Sequence, residues 1–413
     1  MRIAIIGGGA AGLMATATIN QTNPSAEVFL LEKNLELGKK VMISGGGRCN
    51  ITTGLEEIPL ILKNYPRGSK FLQSALRFFP PGEVKAWFEK NNVPLKREKN
   101  NRIFLASNNG QDVVLAFTRL FSHFKTEILF NHQVVGLIKT TAGFDIKLKN
   151  KKSLQADKVI LAVGGRAFQH TGSTGDGYDL ALSLGHHITE LAPSLTSFIT
   201  QEKWVKDLAG ISFDQAVITA KTGKKFVFAG SFLFTHTGLS GPAVFALSAL
   251  TAFEKYDAKT PMAITIDLRP NIAGEMILAD LKTIIKQSPK KSLKNILRAF
   301  VPLAISEVIC RQLNFFQDKK IAQTSNQDLH SIIQWIKKMP LTVIGRATGD
   351  EFVTAGGIEL SEVNPRTMES KIVPNLYLAG EILNIDGFTG GFNLQSAWST
   401  GRLAGVCASQ EIP

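Results

Sequence analysis

Apolar positions run along this chain with two different periods, and the places where the period changes outline its elements. Arg2–Ile6 is apolar after its first residue, the pattern of a parallel strand buried on both faces. Residues 10 to about 21 are helix formers, and residues 27–32 are a second strand-like run. Strand, helix and strand in this order predict a βαβ unit and a doubly wound α/β fold. Residues 63–125 are mixed and lean towards helix. Alternation returns at 133–138 and 144–148, and the apolar run 158–163 reads as a buried strand leading into Gly164 and Gly165. From about 193 to 270 the pattern is that of strands, with segments at 215–220, 225–228 and Met262–Asp267 and a helical stretch near 243–253. Helical spacing takes over in 271–340, through Ile277, Leu281, Ile284 and Ile285, and predicts a separate helical subdomain. Strand pattern resumes over 341–358, another buried strand is expected at 375–379, and a last helix at 392–408.

Composition adds limits. A chain of 413 residues with 44% hydrophobic and 20% charged positions has enough apolar surface for two or three cores, which excludes global disorder. Its net charge of +13 favours a polyanion, whether nucleic acid, an anionic membrane surface or a phosphate-bearing cofactor; a merely solvated basic surface is the plain alternative. The excess is concentrated. Residues 63–125 hold twelve Lys/Arg against four Asp/Glu, and residues 271–340 hold eleven against five. Cys49, Cys310 and Cys407 are far apart and lack metal-like spacing, so neither a disulfide framework nor a metal site is expected, and a reducing cytoplasm is. Residues 3–19 are uncharged and mimic a leader, but three consecutive glycines would break its helix, so the stretch reads as a buried strand, turn and helix. No other uncharged apolar run approaches the ~18 residues of a membrane span, and no membrane partner is expected.

The chemistry is carried by glycine loops. Gly7, Gly9 and Gly12 stand between the first strand and the first helix, where such a triplet makes a tight turn, admits a pyrophosphate and lets helix and strand pack closely. The helix N-terminus offers free N–H groups and the positive end of a dipole. Glu32 ends the second strand, placed to accept hydrogen bonds from ribose hydroxyls. A second loop, Ser44-Gly45-Gly46-Gly47-Arg48-Cys49-Asn50, has little bulk and can lie flat on a ring system, with Arg48 available to phosphate. Near the other end, Gly380-Glu381, Asp386-Gly387 and Gly390-Gly391 precede the last helix, whose N-terminus suits the pyrimidine edge of a flavin. Glu381 or Asp386 is positioned for ribityl hydroxyls. One cofactor held by both portions of the chain fits FAD, whose flavin lies far from its adenine.

The ordered set GGGAAG, SGGGRCN, LAVGG, TGSTGDG, FTHTGLSGP and AGEILNIDGFTGGFNLQSA resembles the HI0933-like family of flavoproteins over nearly the whole chain. The resemblance implies a Rossmann-like FAD domain of residues 1–192 and 356–413. It is interrupted by a β-barrel-like domain (193–270 and 341–355) and a small helical insert (271–340), in step with the shifts of pattern. Carried over by motif, it implies that Gly7, Gly9, Ala11 and Gly12 meet the pyrophosphate and Glu32 the ribose, with Lys33, Gly38 and Lys40 nearby. Ser44, Gly45, Gly47, Arg48, Cys49 and Asn50 would run along the flavin, and Val135 would offer its backbone to the adenine. Gly164 and Gly165 would close the adenosine side, while Gly380, Glu381, Asp386, Gly391, Phe392 and Asn393 would hold the ribityl and pyrimidine end.

A flavin supplies hydride chemistry and the protein supplies position and a proton. Cys49 is a candidate proton donor or substrate contact, with Arg48 adjacent to lower its pKa; a small packed residue is the equal alternative. His236 is the second candidate, against a capping or loop-holding role. Only one dinucleotide fingerprint is present, so NAD(P)H is expected as a visiting electron donor. Family members are linked to dihydrouridine formation in 23S ribosomal RNA and to reduction of unsaturated small molecules. The resemblance therefore implies reduction of a C=C bond, with ribosomal RNA as a partner through the basic stretches, or else a small-molecule reductase or an amine or ketone oxidase without RNA. Phe78, Phe79, Trp87 and Phe88, interspersed in residues 63–125, are either base-stacking or core residues.

Overall fold

The computed structural model describes residues 1–316, 319–347, 349 and 351–410. They fall into two compact units, Met1–Ser194 with Glu351–Pro413, and Leu195–Asp350, each with its own hydrophobic core.

The first unit is built on a five-stranded sheet in the order Leu376–Leu378, Lys158–Leu161, Arg2–Ile6, Glu27–Leu31, Thr126–Leu129. Every neighbouring pair is parallel. Ile3, Ile5, Leu30, Val159, Ile160 and Leu376 are fully buried, as unbroken apolar runs require when helices cover both faces. The helices Ala10–Thr22 and Phe392–Ser409 pack on each other at close range. A Cβ on Gly401 would overlap the Ala11 carbonyl, and one on Gly405 would lie 2.8 Å from the Ala15 carbonyl oxygen. The last helix thus meets the βαβ helix through backbone.

Three antiparallel additions surround this sheet. Val134–Thr140, Gly143–Leu148 and Ser153–Ala156 form a meander. Ala192–Ser194 pairs with Val353–Ala355 within the first unit, whereas the family resemblance implies residues 341–355 in the barrel-like domain. Asn50–Thr53, Leu95–Glu98 and Arg102–Leu105 make a small sheet inside and beside the helix-leaning stretch; runs of four residues are too short for a period of two to stand out. The aromatic residues of this stretch are core: Trp87 stacks on Phe117, which stacks on Trp398, and Phe88 meets both Phe117 and Trp398 edge-on. Phe79 is buried too, so of the four only Phe78 is exposed, and the base-stacking reading of Phe79, Trp87 and Phe88 is set aside.

The second unit is a closed six-stranded barrel in the order Phe198–Thr200, Gly238–Ser240, Lys225–Phe234, Ser212–Lys221, Met262–Asp267, Met339–Arg346. Helices Gly274–Gln287, Leu293–Leu297, Leu303–Gln312 and Asn326–Lys337 follow the fifth strand. They do not form a core of their own. Ile277, Leu281 and Ile336 belong to one hydrophobic cluster with Ile264, Ile266 and Met339, because the helices spend their apolar stripe on the barrel wall. No helix among the described residues is long and apolar enough to cross a membrane.

Candidate functional site

The site is assembled around the C-terminal ends of the parallel strands, where ligands gather in open α/β sheets. Gly7 has φ +106°, and its N–H donates to Leu31 O at 2.8 Å, so the turn is tied to the neighbouring strand. A Cβ on Gly12 would overlap Gly7 O, which explains the third glycine as helix–turn packing. Gly9 differs: its φ is −81°, and a Cβ there would meet nothing within 4 Å. The helix that begins at Ala10 has no side-chain cap and no acidic residue in its first turn, leaving a positive dipole end open over this space.

Glu32 braces the turn. Its carboxylate accepts from Gly8 N at 2.9 Å and from Asn34 N and Nδ2 at 2.8 and 2.7 Å. Lys33 pairs with Asp176 at 2.8 Å, and Gly38, at φ +64°, donates to Gly8 O. Val135 sits at an irregularity in the register between the paired residues Val134 and Gly136. Gly164 adopts φ +77°, and a Cβ on Gly165 would lie 2.9 Å from Glu381 Oε1.

The portion after residue 351 closes on the same region. Lys40 Nζ donates to Glu381 at 2.7 Å, Glu381 also accepts from Thr354 N at 2.9 Å, and a Cβ on Gly380 would lie 2.8 Å from Ala11 Cβ. Gly391 has φ +92°, and a Cβ there would overlap the Thr52 carbonyl, so the N-terminus of the last helix abuts the strand that follows the second glycine loop. That helix also lacks a side-chain cap and first-turn acids. In the second glycine loop Gly45, Gly46 and Gly47 take φ +58°, +71° and +83°; added Cβ atoms on the last two would meet nothing. Asn50 Oδ1 is buried and has no hydrogen-bond partner among the described residues. Two uncapped helix N-termini, open glycine surfaces and an orphaned amide oxygen fit a long dinucleotide with a flat ring. FAD, when bound, supplies hydride chemistry there.

Several expectations change. Cys49 is fully buried, and burial pushes its thiol up to about 12 despite a hydrogen bond with Ser44, so the expected lowering by Arg48 does not occur. Arg48 lies over Phe104 at 4.2 Å, donates to Asn108 at 3.0 Å and pairs with Glu98. Its Nε and Nη2 are thus engaged by protein groups. Asp386 is fully buried, pairs with Arg67 through both oxygens and accepts from Ser194 at 2.7 Å; this commitment leaves it a brace rather than a ribityl ligand. Asn393 braces likewise, exchanging both amide bonds with Gly387 at 2.8 and 2.7 Å. Phe392 packs edge-on against Tyr65, whose hydroxyl donates to the Phe392 carbonyl at 2.7 Å. His236 is exposed at a turn in the second unit, between the strands Lys225–Phe234 and Gly238–Ser240, so it and Cys49 lie in different units. Sequence reasoning missed Arg67, Thr354 and Tyr178, a buried hydroxyl with no partner among the described residues. None of the three stands in a glycine motif, so no local signal marked them.

Glycine turns, paired helix N-termini and a parallel sheet define an FAD-dependent oxidoreductase. The chain belongs to the HI0933-like family, whose Rossmann-domain model matches residues 1–407. It is 30% identical to a 3-dehydro-bile acid delta(4,6)-reductase of Clostridium scindens, over 99% of both chains. It is 29% identical to a ribosomal RNA dihydrouridine synthase of Escherichia coli, over 99% of this chain and 97% of that one. The fold is also that of a 3-ketosteroid delta1-dehydrogenase from Sterolibacterium denitrificans, with a TM-score of 0.52 at 12% identity over 98% of this chain and 99% of the other.

Proposed function

We propose that this enzyme reduces a carbon–carbon double bond conjugated to a carbonyl, with NAD(P)H as the visiting electron donor and FAD held by the residues described above. The observation that carries the reading is chemical. Two relatives of nearly equal identity, each matched along nearly its whole length, have names that specify uridine reduction and reduction of an unsaturated 3-oxo steroid. Uridine and such a steroid share an enone-type unit and little else. Saturating it adds two electrons and two protons, and the carbonyl carries the charge that develops. A cofactor pocket common to the family with a substrate surface that differs would account for both names.

Uridine in 23S ribosomal RNA is the preferred substrate. The net charge of +13, of which +6 lies in residues 271–340, supports a polyanionic partner. Cytoplasmic location follows from the same reading. The second reading, a small-molecule enone reductase without RNA, is favoured by the similarity to the bile acid reductase. Mapping dihydrouridine in 23S ribosomal RNA from a deletion strain separates them: a modification present in the parent and missing in the deletion is expected, and unchanged mapping sinks the RNA version. Anaerobic NADPH or NADH should bleach the bound flavin. Retention of the oxidised spectrum with both would remove the nicotinamide donor from the scheme.

A further inference from the structure

The second unit carries a lysine cluster that the cofactor site does not use. Between Asp280 and Glu307 there are six cations, Lys282, Lys286, Lys290, Lys291, Lys294 and Arg298, and no acid. The fold brings a second lysine pair to this segment. Ser292 and Lys320 form an antiparallel bridge, Leu293 N donates to Lys319 O at 2.9 Å, and Ile321 N donates to Lys291 O at 3.0 Å. Two chain segments some thirty residues apart are thereby held side by side, with Lys290, Lys291 and Lys320 exposed. Among the described residues none of these three has an ion-pair partner, whereas Lys319 pairs with Asp328 at 2.9 Å and lies 3.9 Å from the centre of the Phe315 ring. Phe316, whose carbonyl accepts from Lys319 N at 3.0 Å, is 87% exposed, the most exposed large apolar side chain described.

A solvent-facing phenylalanine close in the chain to Lys320, on a segment bridged to Lys290 and Lys291, with no ion-pair partner for the three lysines among the described residues, costs a protein apolar exposure and like-charge repulsion. The same combination is what a nucleic-acid strand meets on binding proteins: cations along the backbone and an aromatic face for a base. An anionic membrane would also answer to the charge. However, this site offers one aromatic ring on a bridged loop pair, without the apolar helix face that inserts between lipids. We propose that Lys290, Lys291 and Lys320, with Phe316, form a docking surface for the ribosomal RNA substrate. The inference deepens the RNA reading and rests on it.

The test uses the FAD-loaded full chain and a transcribed fragment of 23S ribosomal RNA, with binding followed by fluorescence anisotropy across a salt series and no electron donor present. The variant Lys290→Gln/Lys291→Gln/Lys320→Gln should lose about tenfold or more in affinity near 0.1 M salt, and its log–log salt slope should fall by about 2 for three lost phosphate contacts. Phe316→Ala should weaken binding while leaving the slope in place. Lys221→Gln/Lys224→Gln/Lys225→Gln removes the same charge from the hairpin Ser212–Lys221/Lys225–Phe234 and should bind nearly as the parent does. Lys290→Arg/Lys291→Arg/Lys320→Arg should keep the parental slope. Equal losses in the two Gln triples, an unchanged slope, or binding to phosphatidylserine vesicles in place of RNA would each overturn the surface. Because no turnover is read, its failure is separate from that of the dihydrouridine mapping, which tests the reaction.

Discussion

Gly9 and Gly12 stand one helical turn apart, and substituting each asks a different question. A methyl on Gly12 would overlap the Gly7 carbonyl, so Gly12→Ala should lower apoprotein stability and cofactor binding together. A methyl on Gly9 meets nothing, and its φ of −81° suits any residue. Gly9→Ala should therefore melt like the parent apoprotein but bind FAD about tenfold or more weakly, a loss of ~1.4 kcal/mol or greater. Flavin-fluorescence titration with a parallel melt reads both, and parental affinity would show that phosphate does not approach Gly9. Cys49 makes a pH prediction. An unfolded thiol ionises near 9, whereas burial holds the folded one up to about 12. Between those values the unfolded chain binds fewer protons, so this contribution is complete below about 9 and is lost as pH rises towards 12. Cys49→Ala should flatten the decline of stability with pH in that window and keep turnover, the expected behaviour of a packing residue. Loss of turnover with FAD retained would return Cys49 to the chemistry.

At the scale of elements, the site is held by ion pairs between segments distant in sequence. Arg67 precedes the helix Ser69–Phe78 and meets Asp386, 319 residues away, in the loop before the last helix. Removing one partner of a buried pair leaves an uncompensated charge, so Arg67→Ala should cost about 3–5 kcal/mol. Arg67→Met with Asp386→Leu should recover most of that, because the loss belongs to the stranded carboxylate rather than to the pair. Urea unfolding of both variants is the measurement; a double variant as weak as Arg67→Ala would mean that the pair itself is indispensable. This pair also shows where reading from sequence stops. The βαβ unit, the last helix and the glycine turns were legible because period and glycine spacing are local. Glu381 was legible as an acid beside a glycine, but its use, to hold Lys40 from 341 residues away, was not. Arg67 carried no sign at all, and Asp386 was read as a ligand because an acid in a glycine loop looks the same whether it faces a hydroxyl or a buried arginine. For Cys49 the sequence left a proton donor and a small packed residue as equal alternatives, and no local signal decided between them. Adjacency did not show that the guanidinium would be engaged by Glu98, Asn108 and Phe104 or that the thiol would be buried.

For the whole molecule, the division of labour has a thermodynamic consequence. Every residue proposed to hold FAD, from Gly7 to Gly391, lies in the unit made of Met1–Ser194 and Glu351–Pro413, and that unit has a hydrophobic core distinct from the one in Leu195–Asp350. A ligand stabilises what it binds by RT ln(1 + [L]/Kd), about 2.7 kcal/mol at a hundredfold excess over Kd. Each core is contiguous, so calorimetry of the apoprotein should resolve two transitions. Saturating FAD should move one upward by several degrees and leave the other nearly in place. Transcribed 23S ribosomal RNA should do the converse, acting on the transition of the lysine-bearing unit and losing its effect as salt is raised. The assignment of transitions can be made independently with Gly12→Ala, which should lower only the FAD-sensitive one. If FAD shifts both transitions equally, the two cores unfold as one and the separation of the cofactor unit from the lysine-bearing unit is wrong. If FAD shifts neither, the glycine turns hold no dinucleotide, and the reductase reading loses its cofactor.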